Sequence, residues 1–283
     1  MSRTRVVMRL FRFVLLIGVL AACAPLPKQN LAVAQTSEVR QLTVDGRVRE
    51  YCLHVPENLS GPVAYVFHFH GGGLADCQDG VIEKRWKAKA DAEGFIFVAP
   101  VGAVAWWWGG RAWNACSDPP EPCRTVRAEN RAEKENVNDV AFFVTLRAAL
   151  QRQYGVAPVY LNGFSNGGML VYLLACQVPE LVDAASVMGT TAVWQTCSTS
   201  PVPFFHMHGN ADSQIPWPNG NEIWPSPKAA FERRSAQNGA RAESRLEVVD
   251  CDHSWPGIAR LLWFDCTTAF RAEDRFWEFF RGS

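Results

Sequence analysis

Apolar and polar residues alternate with a changing period along the chain, and this period predicts the order of its elements. Residues 39–44 and 47–55 alternate with a period of two on either side of Asp45 and Gly46, which predicts a β-hairpin. Short, nearly continuous apolar runs predict further strands at residues 64–69, 95–99, 159–164, 184–188 and 203–208. Helical spacing of apolar residues predicts helices at residues 80–93, 138–154 and 166–176.

Strands that alternate with helices are typical of a parallel sheet covered by helices on both faces. We therefore predict an α/β fold with a doubly wound, mostly parallel sheet and an N-terminal β-hairpin. The chain has 283 residues and shows no internal repeat, so residues 39–283 are predicted to form a single domain. The charged segment at residues 124–136 is predicted to be a solvated loop or the exposed start of a helix.

Charge excludes one class of partner. Lysine plus arginine and aspartate plus glutamate number 28 each, so the positive field that attracts nucleic acid is missing. Aromatic residues make up 12% of the chain and include 11 tryptophans, which indicates exposed rings for a ligand.

The N-terminus has the features of an export signal. A basic segment that ends at Arg12 precedes the apolar run 13–22, which is too short to span a bilayer. Residues 1–22 are therefore predicted to be a signal peptide. Leu20-Ala21-Ala22-Cys23 resembles a bacterial lipobox, which predicts lipidation of Cys23, a tether at 23–38 and membrane contact only through the lipid. Ordinary cleavage after Ala34 remains the alternative, and either route exports the domain to the periplasm or the cell exterior.

Nine cysteines are present, and setting Cys23 aside leaves eight. An even number in an exported chain predicts disulfides, here four, although eight cysteines allow roughly a hundred pairings. Short separations favour Cys116 with Cys123, Cys176 with Cys197, and Cys251 with Cys266, which leaves Cys52 with Cys77. A cysteine metal site is disfavoured because the chain has no C-x-x-C pair.

Gly163-Phe164-Ser165-Asn166-Gly167 fits the pattern G-x-S-x-G between a predicted strand and a predicted helix. In this context the two glycines permit a sharp turn that exposes the serine hydroxyl. The alternative is a glycine-rich turn with an incidental serine. Ser165 is therefore a candidate nucleophile.

Three further segments fit the same chemistry. His70-Gly71-Gly72-Gly73 follows a predicted strand, and we expect the backbone N–H groups of Asn166 and of Gly71 or Gly72 to form an oxyanion hole. Asp212 follows the strand 203–208, and His253 lies in a late polar loop, which gives the order serine, aspartate, histidine.

His253 is predicted to be the general base and Asp212 its orienting acid, a mechanism that requires no metal or organic cofactor. Asp183, Asp250, Asp252 and Asp265 are the other acids available for this role. Two H-x-H pairs leave open a metal-dependent alternative, because each places two imidazoles on one face of a strand. The pairs are His68 with His70 and His206 with His208.

These residues resemble a known family, the secreted polyhydroxybutyrate depolymerases and feruloyl or acetylxylan esterases of the α/β-hydrolase fold. The resemblance covers most of residues 39–280. It rests on these segments: Gly163-Phe164-Ser165-Asn166-Gly167-Gly168-Met169, Trp113-Asn114, Asn138-Asp139-Val140, His208-Gly209 leading to Asp212, Ile215-Pro216, and His253 with Trp255-Pro256-Gly257. The resemblance implies a serine carboxylic ester hydrolase with the same three catalytic residues.

Departures from the family concern the substrate. Asp250-Cys251-Asp252 replaces the glycines that usually precede the late histidine, and Asn138 stands where the family often has an aspartate. We expect no counterpart of the C-terminal linker and polymer-binding domain of the family members that attack solid polyester, and we therefore expect soluble oligomers or wall-linked esters as substrates. Trp255 and Trp113 are predicted to contact substrate, and the further candidates are Trp106, Trp107, Trp108 and Trp217. A non-catalytic envelope lipoprotein that binds glycan is an alternative, and peptide hydrolysis is a further one.

Overall fold

The computed structural model describes residues 38–283 apart from 58, 74, 76, 106–108, 116–131, 133–134, 194–199, 259–265 and 267–268. All described residues belong to one compact unit, Val33–Ser283. The predicted signal peptide, Cys23 and the tether except for Glu38 lie outside the described residues, as do the pair Cys116 and Cys123 and most of the segment 124–136.

Eight strands form one sheet in the order β1-β2-β4-β3-β7-β8-β9-β10, and β5 and β6 form a separate two-stranded sheet. The strands are β1 Glu38–Val44, β2 Arg47–His54, β3 Tyr65–Phe69, β4 Ile96–Pro100, β5 Ala103–Val104, β6 Arg111–Ala112, β7 Val159–Phe164, β8 Ala184–Met188, β9 Phe204–Gly209 and β10 Ser244–Val249. The helices are α1 Val81–Glu93, α2 Asp139–Tyr154, α3 Asn166–Gln177, α4 Pro227–Asn238 and α5 Ala272–Gly282.

The first two strands are an antiparallel hairpin, and β2 also pairs antiparallel with β4. In the eight-stranded sheet, all other neighbouring strands pair parallel. The predicted hairpin and the predicted doubly wound, mostly parallel sheet are therefore confirmed. Each predicted strand or helix agrees with the observed one to within one residue at either end.

Two hydrophobic cores cover the two faces of the sheet, because side chains alternate between faces along each strand. The first core lies under α2 and α3, where Phe67 meets Phe143 edge to face at 5.3 Å. The second core lies under α1 and α5, where the rings of Phe95 and Trp277 are 4.4 Å apart. Neighbouring residues of a strand thus belong to different cores. The same alternation determines on which face of the sheet each polar side chain of β3 and β9 lies.

Local sequence explains where the helices begin. The side chain of Asn138 accepts a hydrogen bond from the Ala141 N–H at 2.9 Å and caps α2. Ser226 caps α4 in the same way, with the Ala229 N–H at 3.0 Å. These caps satisfy amide groups that a first helical turn leaves without a partner.

Two of the predicted disulfides are present, Cys52–Cys77 and Cys251–Cys266. Cys176 is also disulfide-bonded, and its predicted partner Cys197 lies outside the described residues. Within the part of the chain that the structure describes, no helix has the length and apolar character needed to cross a bilayer.

Candidate active site

Ser165 lies on a strained turn between β7 and α3. Its φ of 52° and ψ of −120° are unusual for a residue with a side chain and cost about 1–3 kcal/mol. A Cβ on Gly167 would lie 2.0 Å from the Phe69 carbonyl oxygen, and one on Gly163 would lie 2.5 Å from the Gly167 carbonyl oxygen. Because only glycine fits at both positions, these two glycines permit the sharp turn that presents the Ser165 hydroxyl.

The structure brings Ser165, His253 and Asp212 into one hydrogen-bonded row. His253 Nε2 is 2.9 Å from Ser165 Oγ, and His253 Nδ1 is 2.8 Å from Asp212 Oδ2. An ionised carboxylate can only accept a hydrogen bond, so the proton of the neutral imidazole lies on Nδ1. Nε2 is then free to accept the proton of Ser165, which is the arrangement of a nucleophile and its general base.

Asp212 is buried, with 3% of its surface exposed. Burial raises the pKa of this carboxyl, but hydrogen bonds from His208 and His253 and from the Ile215 N–H outweigh it and hold the pKa well below its usual range. The backbone N–H groups of Ile215 and Gln214 donate to Oδ1 at 2.7 and 2.9 Å. Asp212 is therefore ionised at neutral pH and fixed in orientation.

The other candidate acids lie elsewhere or have different partners. Asp252 accepts hydrogen bonds from the backbone N–H groups of Ser213 and His253, at 2.8 and 2.7 Å, and so links the two loops. Asp183 accepts from Val159 N at the amino ends of β7 and β8, whereas Ser165 and Asp212 follow the carboxyl ends of β7 and β9. Asp250 is exposed, and Asp265 lies outside the described residues.

The glycine loop after β3 lies directly against the nucleophile. A Cβ on Gly71 would be 3.3 Å from Ser165 Cβ. Gly102 N–H donates to His70 Nε2 at 2.9 Å, so His70 carries its proton on Nδ1 and donates it to the Gly71 carbonyl at 2.6 Å. Gly73 and Arg111 exchange backbone hydrogen bonds of 3.0 and 2.7 Å. The loop that carries Gly71 and Gly72 is thus tied down at both ends beside Ser165.

Asn166 is the first residue of α3, where helical N–H groups have no partner within the helix. Its side chain is bonded to the Trp113 backbone in both directions, accepting from N at 2.7 Å and donating to O at 3.3 Å. The segment at Trp113 and Asn114 is fixed in turn by Asp139, which accepts from the Asn114 N–H at 2.7 Å and pairs with buried Arg49 at 2.5 Å.

Comparison with known proteins places this geometry in context. Esterase PE8 has a TM-score of 0.51 to this chain at 19% identity, covering 72% of this chain and 91% of its own. "Probable feruloyl esterase C" of Aspergillus terreus is 29% identical over 208 residues, 68% of this chain and 67% of that protein. The bifunctional acetylxylan esterase/xylanase XynS20E of Neocallimastix patriciarum is 25% identical over 173 residues, 60% of this chain and 22% of that protein.

The chain has the α/β-hydrolase fold and is related to esterases. This confirms the predicted fold and the predicted relationship to feruloyl and acetylxylan esterases. The chain spans about half the length, or less, of several curated relatives, with shares of 53%, 22% and 57%. No family model matches it.

Two tryptophans of this α/β-hydrolase correct the sequence-based prediction of substrate contacts. Trp113 and Trp255 are 0% and 2% exposed. Their indole N–H groups donate within the protein, from Trp113 to the His70 carbonyl at 2.9 Å and from Trp255 to Glu273 at 3.1 Å. Both rings therefore support the loops of the site from beneath. Trp217 is partly exposed, and Trp106, Trp107 and Trp108 lie outside the described residues.

The two H-x-H pairs of the α/β-hydrolase do not come together. His206 and His208 share the face of Phe204 in the first core, whereas His68 packs against Trp255 in the second core. His70 lies beyond the end of β3 and packs against Trp113, with 4.9 Å between the ring centroids. Among the described residues, no group of three or more histidine, cysteine, aspartate or glutamate side chains could hold a metal ion. The sequence alternative of one metal cluster built from both pairs does not fit this placement.

Sequence reasoning missed the residues that anchor the His253 loop. Arg85 of α1 donates to the carbonyl oxygens of Pro256 and Gly257. Glu273 of α5 is fully buried and accepts from Trp255 and from Arg271 Nε, the latter at 2.6 Å. The only signal in the sequence is charge within amphipathic helices, which ordinarily marks a solvated face.

Proposed function

We propose that this α/β-hydrolase is an exported serine carboxylic ester hydrolase with Ser165 as nucleophile, His253 as general base and Asp212 as orienting acid. One observation carries the proposal, namely the unbroken row from Ser165 Oγ through His253 to Asp212, with contacts of 2.9 and 2.8 Å. A strained serine backbone, with φ at 52°, adds support because such strain is found at functional turns.

In the first step Ser165 Oγ attacks the ester carbonyl while His253 Nε2 takes the hydroxyl proton. The carbonyl oxygen becomes an oxyanion, and we propose that the N–H groups of Asn166 and of Gly71 or Gly72 stabilise it, each by about 3 kcal/mol. The new imidazolium faces the ionised Asp212, which stabilises its charge without accepting its proton.

In the second step the tetrahedral species collapses, the ester C–O bond breaks, and His253 returns the proton to the departing alcohol. An acyl group then remains on Ser165. Water repeats the sequence, giving its proton to His253 and its oxygen to the acyl carbon, so that the acid leaves and Ser165 recovers its proton. Every proton is carried by the protein's own groups, and the proposed cycle needs no metal or organic cofactor.

Export is a further part of the proposal. The bonds Cys52–Cys77 and Cys251–Cys266 support it, because disulfides persist mainly in oxidising compartments. We propose that Cys23 becomes the lipidated N-terminus and that residues 23–38 tether the domain to a membrane facing the periplasm or cell exterior. Ordinary cleavage after Ala34 would instead release the domain.

The substrate class follows from the relatives' names and the sequence resemblance. Feruloyl and acetylxylan esters are the substrates that the names of the curated relatives suggest. Soluble 3-hydroxybutyrate oligomers are the alternative from the resemblance to depolymerases. Both classes are carboxylic esters and suit the same chemistry, so the choice between them requires measurement.

The test is hydrolysis of a panel by the purified protein and by Ser165→Ala. The panel contains methyl ferulate, an acetylated xylo-oligosaccharide and a 3-hydroxybutyrate oligomer. Turnover of one ester class that disappears in Ser165→Ala supports the proposal and identifies the substrate. If the folded, disulfide-bonded protein turns over none of them, the glycan-binding lipoprotein becomes the better explanation.

A further inference from the structure

A chain of buried polar side chains runs from α3 through β9 to the acid of the candidate site. Tyr172 OH is 2.7 Å from His206 Nδ1, and His206 Nε2 is 3.0 Å from His208 Nδ1. His208 Nε2 is 2.9 Å from the Ile215 carbonyl oxygen and 3.3 Å from Asp212 Oδ2. Tyr172, His206 and His208 are all fully buried.

The direction of every hydrogen bond in this chain is fixed from one end. The Ile215 carbonyl and the Asp212 carboxylate can only accept, so His208 carries its proton on Nε2. In the neutral imidazole, His208 Nδ1 then accepts from His206 Nε2–H, and His206 Nδ1 accepts from the Tyr172 hydroxyl. In this pattern both histidines are Nε2–H tautomers, whereas His253 carries its proton on Nδ1.

The surroundings favour this uncharged arrangement. Aromatic rings lie around the pair, with Trp217 at 5.4 Å from His208 and Phe231 at 6.1 Å from His206. Burial lowers the pKa of His206 well below its usual value and raises the pKa of the Tyr172 hydroxyl. The tyrosine therefore stays a donor, and an added proton on His206 would cost burial of a charge.

We propose that His208, held in one tautomer by His206 and Tyr172, is a positioning residue that donates to Asp212 during ester hydrolysis. The inference rests on the proposed function, because it assigns a role through Asp212 and His253. His208 Nε2–H, which bonds the Ile215 carbonyl at 2.9 Å, also lies 3.3 Å from Oδ2, the oxygen that His253 Nδ1 contacts at 2.8 Å.

This second donor has a chemical consequence. When His253 becomes an imidazolium, a carboxylate that accepted only from His253 could change its position, or it could share the proton of the imidazolium. With His208 donating to Oδ2 and two backbone N–H groups on Oδ1, the negative charge and position of Asp212 are retained. The proton then stays on His253, from which it must pass to the departing alcohol.

The kinetic test compares His208→Leu with His208→Gln, whose side-chain amide can still donate to Asp212. His208→Leu is expected to lower kcat by about 10- to 100-fold, as for loss of one hydrogen bond to a charged group, and to leave KM nearly unchanged. His208→Gln is expected to recover most of the loss. A folded His208→Leu with kcat within about twofold of wild type, or equal losses in both variants, would overturn the inference.

His68→Gln is the matched control, because His68 is also a buried strand histidine but bonds Asn162 at 2.6 Å rather than Asp212. Its kcat should stay within about twofold of wild type. If His68→Gln lowers kcat as much as His208→Leu does, loss of any buried histidine is responsible and the inference is wrong.

A measurement without turnover separates this inference from the proposed function. In ¹⁵N-histidine-labelled protein at neutral pH, the ring nitrogen shifts should report His206 and His208 as Nε2–H tautomers and His253 as the Nδ1–H tautomer. Tyr172→Phe removes the donor to His206 Nδ1, so the ring nitrogen shifts of His206 should then report a mixture of tautomers. This variant tests the row of hydrogen bonds if His208→Leu fails to fold. Nδ1–H tautomers at His206 or His208 would overturn the inference, even if no ester in the panel is hydrolysed.

Discussion

Replacing Asp212 with asparagine should reverse the tautomer of the catalytic histidine. In the native protein two backbone N–H groups, from Gln214 and Ile215, donate to Oδ1 at 2.9 and 2.7 Å. In Asp212→Asn the amide oxygen must occupy that position, which places the NH₂ group where Oδ2 lies. Its donor hydrogens then face His253 Nδ1 from 2.8 Å. The amide oxygen lies farther from Nδ1, at 3.0 Å, so the shorter contact with the NH₂ group decides the tautomer. His253 satisfies that contact by moving its proton to Nε2, where it blocks proton transfer from Ser165.

The expected loss in kcat is about ten-thousand-fold, the usual cost of holding a catalytic histidine in the wrong tautomer. That factor corresponds to about 5.4 kcal/mol of transition-state stabilisation. Stability should fall by a smaller amount, about 1–3 kcal/mol, because the new NH₂ group also faces the His208 N–H that lies 3.3 Å from Oδ2.

The assay is kcat on the ester that the panel identifies, measured beside Asp252→Asn. This control changes a neighbouring carboxylate in the same way, but its Oδ1 accepts from the backbone N–H groups of Ser213 and His253, which an amide oxygen can also accept. Asp252→Asn should lose less than about tenfold. If Asp212→Asn keeps kcat within about tenfold of wild type while Ser165→Ala is inactive, the role assigned to Asp212 is wrong.

Three further predictions concern the scaffold of the site. Gly167→Ala should lower kcat and cost about 1–3 kcal/mol of unfolding free energy, because its Cβ would lie 2.0 Å from a backbone oxygen of β3; thermal melting and kinetics measure both. Serine at both Cys251 and Cys266 should cost about 3 kcal/mol in urea titrations, since the bond closes a separation of 15 residues. Burial lowers the pKa of His68 and His70 from 6.5 to about 4, so the unfolded chain binds more protons between these values, and unfolding free energy should fall as pH falls from 6.5 to 4.

Each of these predictions has a control within the chain. Gly61 has nothing within 4 Å of an added Cβ, so Gly61→Ala should be nearly silent, and equal damage from both alanines would argue against a steric cause at Gly167. For the disulfide, Cys251→Ser alone should lose as much stability as the double serine variant if the bond itself stabilises. For pH, His68→Gln should flatten the slope by up to about 1.4 kcal/mol per pH unit, and an unchanged slope would contradict the prediction.

The sequence predicts the central part of this fold well, for a physical reason. Strands β3, β4 and β8 are buried along their whole length, so their apolar runs are unambiguous. The edge strand β10 carries no such run, because its residues are mostly half-buried or exposed. Helices α4 and α5 follow loops, and no strand pattern flanks them on both sides. These elements were not predicted.

The candidate site was predictable at positions where the local structure allows only one residue type or where the order of residues along the chain is fixed by the fold. Glycine at 163 and 167 is required by backbone contacts, and the order of Ser165, Asp212 and His253 follows from the ends of successive strands. The supporting residues were not predictable, because their partners come from distant elements. Pattern alone gave the pair at 206 and 208 a possible metal role, and only the structure joins it to Tyr172 and Asp212.

The central claim is that Ser165 is a nucleophile activated by His253. The most direct measurement is labelling with a fluorophosphonate, which reacts with activated serines, followed by mass spectrometry of the labelled peptides. The account predicts one labelled residue, Ser165, with labelling lost in His253→Ala and greatly slowed in Asp212→Asn. Hydrolysis of an ester by folded protein in which Ser165 stays unlabelled, or is labelled equally well in His253→Ala, would contradict it.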